Sequence, residues 1–261
     1  MSKIKFDVLN RFSGATQFTA EISCDASAPV SVKRGLAAKW AIKARADLVG
    51  ADLARANLAG ADLAGANLAG ADLAGADLAR ADLAGAYLAR ADLTGADLAG
   101  ANLARADLAG ADLAGANLAR ANLAGAYLAR ANLTGANLAG ANLARADLAG
   151  ADLAGAYLAR ADLAGANLAR ADLAGTYLAG ADLIDGGQRS DGYRFVGHVM
   201  DGALIISAGC RYFSLARART HWAATRGGTP LGDETQSILD HIERVAIIRG
   251  LIVYGEVEAV Q

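Results

Sequence analysis

Apolar and polar residues recur with a period of five from Ala46 to Asp185. Each unit reads Ala, then Asp, Asn or Tyr, then Leu, then Ala or Thr, then Gly or Arg, over 140 residues or 28 units. Leu fills the third position of every unit, and Ala fills the first except at Thr176; Val49, Ile184 and Asp185 are the other departures. On an α-helix a step of five residues turns by about 500°, so the leucines would spiral and form no apolar stripe. In an extended segment, Ala and Leu share one face, while the second and fourth residues share the other. The pattern therefore predicts short β segments with Ala and Leu inside and a turn at the fifth residue.

Residues 1–45 have a different pattern, which predicts a β-hairpin followed by a helix. Apolar residues alternate with polar ones on both sides of the turn Ser13-Gly14, at Ile4, Phe6 and Val8 and again at Phe18, Ala20 and Ile22. The helix is predicted from Ser31 to about Ala44, with Val32, Leu36 and Trp40 on one face. We expect Leu36 and Trp40 to cover the end of the repeat. Eight Lys and Arg against three Asp and Glu leave open a second interpretation, a basic surface for an acidic partner.

Residues 186–261 predict a second α+β region. Apolar segments at 193–199 and 204–213 flank the turn Asp201-Gly202 and predict a hairpin. A helix capped by Ser214 is predicted to about Thr225, then a second helix with a capping box at Asp233 and Gln236, then a strand over 251–257.

The second helix and the tail carry more apolar surface than a solvated helix needs. This excess predicts self-association through Ile238, Ile242, Val245, Leu251 and Val253. The alternative is that this helix and tail fold back onto the hairpin and leave nothing exposed.

The motif Ala51-Asp52-Leu53-Ala54-Arg55 resembles the A(D/N)LXX signature of pentapeptide repeat proteins. The resemblance implies an all-β core, a right-handed quadrilateral parallel β-helix with four units per coil. Residues 46–185 would form about seven coils, roughly 33 Å long at the strand spacing of β-structure. Small α+β capping regions would lie at 1–45 and 186–261. The stretches Gly192–Phe195 and Ala208–Arg211 are similar to flanks of some phage and proteobacterial members.

The charges of the repeat, 16 Asp against 9 Arg, give it a net charge of −7. In a four-unit coil one side collects six aspartates, interrupted by Asn132 and offset by Arg55, and is a candidate acidic interaction face: Asp52, Asp72, Asp92, Asp112, Asp152 and Asp172. The competing interpretation is a solvated wall in which Asn relieves repulsion between neighbouring Asp. On that interpretation Asn117→Asp is nearly silent, whereas Leu118→Asp disrupts the core.

The tyrosines of the repeat occupy the second position, so they should point outward. Tyr87 and Tyr127 lie forty residues apart, as do Thr94 and Thr134. This spacing favours duplication of a two-coil block over a binding site.

Candidate catalytic chemistry is sparse. His198, His221 and His241 lack metal-ligand spacing, and no phosphate-binding loop is present. Cys24 and Cys210 are interpreted as two reduced thiols in the cytoplasm, with a disulfide left open. No apolar run reaches the roughly 20 residues of a transmembrane helix, and charges near the start interrupt any signal segment. We therefore expect no enzyme activity, no cofactor and no metal.

The sequence thus predicts a rigid, non-enzymatic structural or protein-interaction module with capped ends. Its partner would be another protein or a second copy of the chain, in a homodimer formed through the C-terminal region. The family resemblance adds an alternative, a DNA mimic that binds DNA gyrase or topoisomerase and inhibits or protects it. Charge weighs against this alternative, because a duplex of about 33 Å carries about 20 phosphate charges.

Overall fold

Parallel β bridges join repeat residues that lie twenty apart, from Asp52 with Asp72 to Tyr157 with Tyr177, in the computed structural model. The structure describes residues 3–181, 183–192, 194–200, 203–208 and 211–252. The bridges define a solenoid in which one coil takes twenty residues, or four units. Third-position leucines from Leu53 to Leu168 are at most 1% exposed, and the first-position alanines line the same interior. The predicted inside and outside are confirmed, whereas the total of about seven coils stays a prediction.

The backbone of each unit satisfies its five N–H groups in a fixed way, as in residues 71–75. The first N–H donates within the turn to the carbonyl of the preceding Leu68, and the second donates to the previous coil. The third and fifth donate to the next coil, at 2.7 and 2.9 Å. The fourth, that of Ala74, donates to Oδ1 of Asp72 at 3.0 Å. Three of the five bonds therefore join coils, so each coil is stabilised by its neighbours.

The corners of the coil lie at the fifth position, where φ is positive for both Gly and Arg. Repeat glycines have φ of 59° to 69°, and the arginines from Arg55 to Arg170 have φ of 57° to 62°. With the turn bond to Leu, this is the pattern of a type II turn, which favours Gly at its third residue. An arginine in this conformation costs about 1 kcal/mol.

The arginine stems lie against glycines of the next coil. Each arginine from Arg55 to Arg160 is followed twenty residues later by glycine. A Cβ added at Gly100, for example, would lie 3.7 Å from Cγ of Arg80. The bare glycine thus leaves room for the aliphatic part of the arginine.

The N-terminal cover consists of β1 (Lys3–Leu9) and β2 (Thr16–Ser23), which pair antiparallel, and α1 (Val30–Ala44). The predicted hairpin is confirmed, and α1 begins one residue before the predicted start. The fully buried face of α1 is Gly35, Ala37, Ala38 and Ala41, not the predicted larger residues.

Close approach to the first coil explains this face of α1. A Cβ at Gly35 would overlap the carbonyl of Asn57, and Asn57 N donates to the Ser31 carbonyl at 2.9 Å. Only small residues fit at such a distance. Leu36 and Trp40 therefore pack half-buried against the core.

The C-terminal region is a four-stranded antiparallel sheet with two helices. In chain order it contains β3 (Leu183–Gln188), β4 (Arg194–Met200), β5 (Ala203–Ala208), β6 (Arg211–Ser214), α2 (Leu215–Arg226) and α3 (Pro230–Ile248). Leu183 and Val196 join the core of the solenoid, whereas Ile184 and Phe195 join the core formed with the helices. One face of the sheet therefore covers the last part of the repeat, and the other face carries α2 and α3.

Three local predictions for this region change. The second hairpin arm is two strands, β5 and β6. The predicted capping box is wrong, because α3 begins at Pro230 with Thr229 accepting from Gly232 N at 3.1 Å, which places Asp233 in the first turn. Leu251 and Ile252 form a bend, and the rest of the predicted final strand lies outside the described residues.

Candidate functional site

The outer wall of the solenoid is built on the second position of each unit. Every Asp or Asn from Asp47 to Asp172 accepts a hydrogen bond from the N–H two residues later, at 2.9 to 3.4 Å. These short side chains close Asx turns and satisfy the one backbone donor that the coils leave over. The wall is therefore held in place from within each unit.

Asparagines add bonds between coils because an amide can donate and a carboxylate cannot. Asn117 Nδ2 donates to Asp97 Oδ1 at 3.0 Å, and Asn137 Nδ2 donates to Asn117 Oδ1 at 3.3 Å. The same bond joins Asn102 to Asp82, Asn122 to Asn102, Asn132 to Asp112 and Asn167 to Asp147. Alternation of Asn and Asp thus replaces repulsion between coils with attraction.

The predicted acidic face is partly neutralised by the N-terminal cover. Arg34 forms an ion pair with Asp52 at 2.6 Å, and Arg11 forms one with Asp92 at 3.4 Å. Burial alone would raise the pKa of Asp92, but hydrogen bonds from Thr94 and the charge of Arg11 outweigh it, and the pKa lies below its usual value.

Among the described residues, the other four predicted aspartates form no ion pair. Asp72 lies between the two paired residues, and Asp112, Asp152 and Asp172 lie farther along the rod.

Four tyrosines stand out from this wall, with 56% of Tyr87, 57% of Tyr127, 50% of Tyr157 and 48% of Tyr177 exposed. Tyr87 and Tyr127 share one side of the coil, and Tyr157 and Tyr177 share the opposite side, half a coil away. The last two rings stack with centroids 4.6 Å apart. A phenol side chain offers no Asx acceptor, so each tyrosine gives up the bond that Asp or Asn makes.

Arginines accompany three of these tyrosines at the next corner, three residues later. The pairs are Tyr87 with Arg90, Tyr127 with Arg130, and Tyr157 with Arg160. Tyrosine and arginine are the residue types enriched at the energetic centres of protein interfaces. The sequence signal for this surface was the replacement of Asp or Asn by Tyr at the second position. Duplication of a two-coil block does not explain why Tyr stands there.

The residues predicted for self-association are mostly covered. Ile242 is fully buried, where a Cβ at Gly186 or Gly197 would overlap its side chain. Ile238, Val245 and Leu251 are half-buried against the same core, and Val253 lies outside the described residues. Ile248, 77% exposed at the end of α3, is the large apolar side chain left at the surface of that helix. Self-association stays a prediction, with a smaller apolar surface than the sequence suggested.

Candidate chemical groups are scattered over the described residues. They contain no group of three His, Cys, Asp or Glu side chains placed to hold a metal ion. Burial lowers the pKa of His198 from 6.5 to about 4. Cys24 is buried, and Cys210 lies outside the part of the chain that the structure describes. No described helix is both long enough and apolar enough for a membrane span.

Comparison with protein families matches one model, described as pentapeptide repeats, in eight copies. The matches cover residues 46–83, 76–115, 116–153 and 146–185, which together span more than half of the chain. A search of curated proteins finds no match.

Solved structures include several similar repeat proteins. One is HetL, involved in heterocyst differentiation regulation in the cyanobacterium Nostoc, with 40% identity over 50% of this chain and 69% of that one, at a TM-score of 0.22. A pentapeptide repeat protein from the thylakoid lumen of Arabidopsis thaliana has 35% identity over 37% of this chain and 67% of that one, at a TM-score of 0.29. QnrB1, a plasmid-mediated fluoroquinolone resistance protein, has 26% identity over 47% of this chain and 77% of that one, at a TM-score of 0.20.

Proposed function

The chain belongs to the pentapeptide repeat family, whose fold is the right-handed β-helix, and we propose that it is a non-enzymatic protein-interaction module. In this proposal the solenoid is a rigid rod that presents its tyrosine-bearing sides to a protein partner. The observation that carries it is the half-exposure of Tyr87, Tyr127, Tyr157 and Tyr177 at positions where Asp or Asn would complete the backbone bonding.

Rigidity supports this proposal. Backbone hydrogen bonds between coils hold the wall residues in place, and the Asx turns satisfy the remaining N–H groups. A partner that binds such a surface orders few side chains, and tyrosine adds large contact area with only two side-chain torsions. The surface is thus already arranged for binding.

Charge indicates the chemistry of the partner. Arg90, Arg130 and Arg160 each follow a tyrosine by three residues, so the wall carries aromatic rings and guanidinium groups in the same units of the repeat. A complementary partner surface carries carboxylates around an apolar centre, since such pairs fix orientation and raise association rates.

The test replaces all four tyrosines with Asn, the residue that the repeat itself uses there. Proteins captured by cross-linking in cells are compared with those captured by the unchanged chain and by a matched Tyr→Phe variant. We expect a specific set of proteins to disappear with Asn and to remain with Phe. Capture that is the same for all three chains, with unchanged circular dichroism, contradicts the proposal.

A second copy of the chain is a further candidate partner, since Ile248 is exposed at the end of α3. Removing α3 would expose the core that it covers, so Ile248→Glu is the cleaner variant. Light scattering should show a dimer that Ile248→Glu converts to a monomer. A monomeric full chain removes this candidate.

The gyrase alternative rests on the three aspartates of the acidic face that lie beyond the ion pairs of the N-terminal cover, Asp112, Asp152 and Asp172. A supercoiling assay with DNA gyrase, beside topoisomerase-free controls, should show inhibition or protection that is lost when these three become Asn. Gyrase activity that is the same with and without the protein rejects the gyrase alternative. The cytoplasmic location expected from the sequence belongs to this proposal as well.

A further inference from the structure

A cavity of about 280 Å³ lies in the C-terminal region, away from the walls of the repeat. It is lined by Arg189, Arg211, His221, Trp222, Thr225 and Arg226. Arg189 follows β3, Arg211 begins β6, and the other four residues lie in the last two turns of α2. Three separate elements therefore bring guanidinium groups to one cavity.

Arg189 is the fixed part of this cavity. Its side chain is 3% exposed and forms a bidentate ion pair with Asp191, at 2.8 and 2.6 Å. Nη1 donates to Thr235 at 2.8 Å, and the guanidinium carbon lies 5.6 Å from the centroid of the Phe195 ring. Asp191 balances the charge of Arg189, so Arg189 contributes a fixed side chain to the cavity lining and no net charge.

Arg211 and Arg226 carry positive charges that no carboxylate of the described residues balances. Neither guanidinium forms an ion pair or hydrogen bond with the described part of the chain. By contrast, Arg219 on the same helix as Arg226 is bound by Asp240 and Glu243, both at 2.7 Å. Among the described residues, the cavity lining thus has a net positive charge and includes no acid.

The aromatic side of the cavity restricts what enters it. The His221 ring lies 5.0 Å from Phe213 and 5.3 Å from Trp222, centroid to centroid, so packing holds it in place. An imidazole so held can bond an oxygen of an entering group. Buried Trp222 adds an apolar wall.

We infer that this cavity binds the phosphate group of a small phosphate monoester. Guanidinium forks match the oxygens of phosphate in bidentate geometry, and an anion balances the charges of Arg211 and Arg226. The volume exceeds that of a single phosphate and leaves room for a small organic part against Trp222. This site is independent of the proposed role of the rod.

The experiment measures binding of ribose 5-phosphate and inorganic phosphate to the full chain by calorimetry. Arg211→Gln and Arg226→Gln should each weaken ribose 5-phosphate binding about 10- to 100-fold, the value of one charge-assisted bond. Arg217→Gln is the matched control, because Arg217 is exposed on α2 and outside the cavity. The control should change the affinity by less than about twofold.

Conservative variants keep the test decisive if a Gln variant fails to fold. Arg211→Lys and Arg226→Lys retain the charge and lose the fork, so they should weaken binding by less than Gln but measurably.

Three results would overturn the inference. The first is no binding of either compound at about 10 mM, weaker than any specific site of this kind. The second is equal weakening by Arg217→Gln, which would indicate unspecific charge. The third is tighter binding of a single-stranded oligonucleotide than of ribose 5-phosphate, which would indicate a polyanion surface.

Discussion

Asn117→Asp is a sharp test of how the wall holds the coils together. From sequence the exchange is nearly silent, since Asp and Asn alternate freely at the second position. In the structure Asn117 donates to Asp97 at 3.0 Å and also accepts from Asn137 at 3.3 Å. The variant keeps its acceptor bonds, loses the donor, and places a carboxylate against Asp97.

The magnitude follows from these two losses. The missing hydrogen bond costs about 0.5 to 1.5 kcal/mol. Two carboxylates one coil apart, about 5 Å, repel by about 1 kcal/mol in a water-like dielectric. We therefore expect Asn117→Asp to reduce the free energy of unfolding by about 1 to 2.5 kcal/mol.

Asn137→Asp is the matched control. It loses the same kind of donor bond, to Asn117, but its neighbours in the column are Asn117 and Tyr157, and neither is charged. Its cost should be the hydrogen bond alone. Urea unfolding followed by circular dichroism at low and high salt separates the two terms, because salt screens the repulsion and leaves the hydrogen bond. Equal costs for both variants, with no salt dependence, would refute the reasoning.

Three further predictions concern the fold and the cores. Circular dichroism should be dominated by β signal with a smaller helical part from α1, α2 and α3, and a mostly helical spectrum would contradict the solenoid. Leu118→Asp places a charge in a fully buried position and should unfold or shorten the rod, whereas Leu118→Met should cost less than about 1.5 kcal/mol in urea unfolding. The folded pKa of His198, about 4, lies below its usual 6.5, so protonation favours the unfolded chain and stability falls as pH drops below 6.5. Urea unfolding should show that the free energy of unfolding falls by about 2 kcal/mol between neutral pH and pH 5. This loss should be absent in His198→Leu and retained in His241→Gln, because His241 is exposed.

The repeat was predictable because its period separates inside from outside residue by residue. Leu and Ala at the third and first positions fall on one face, and the structure buries them. The role of Asp52 and its equivalents as Asx acceptors was not predictable from that pattern, because a bond from side chain to backbone leaves the hydropathy unchanged.

Contacts between distant segments escaped the sequence analysis. The buried face of α1 follows from how closely it approaches Asn57, which selects Gly35 and Ala38 over larger residues. The ion pairs of Arg11 and Arg34 join residues 81 and 18 positions away, and no local pattern records them.

The cavity of the C-terminal region escaped prediction for the same reason. Arg189 and Arg226 meet only after the sheet and α2 pack together.

The placement of arginines over glycines determines how this rod can change length. Along the corner that contains Arg80, Arg120 and Arg160, every intervening residue one coil away is glycine. Within residues 81–160, a duplication or deletion of twenty residues would bring two arginine stems onto adjacent coils at one or more corners, whereas a change of forty preserves the alternation. The length of the rod can therefore change without a clash between arginine stems only in steps of two coils. Repeat proteins with this corner pattern should gain and lose eight units at a time.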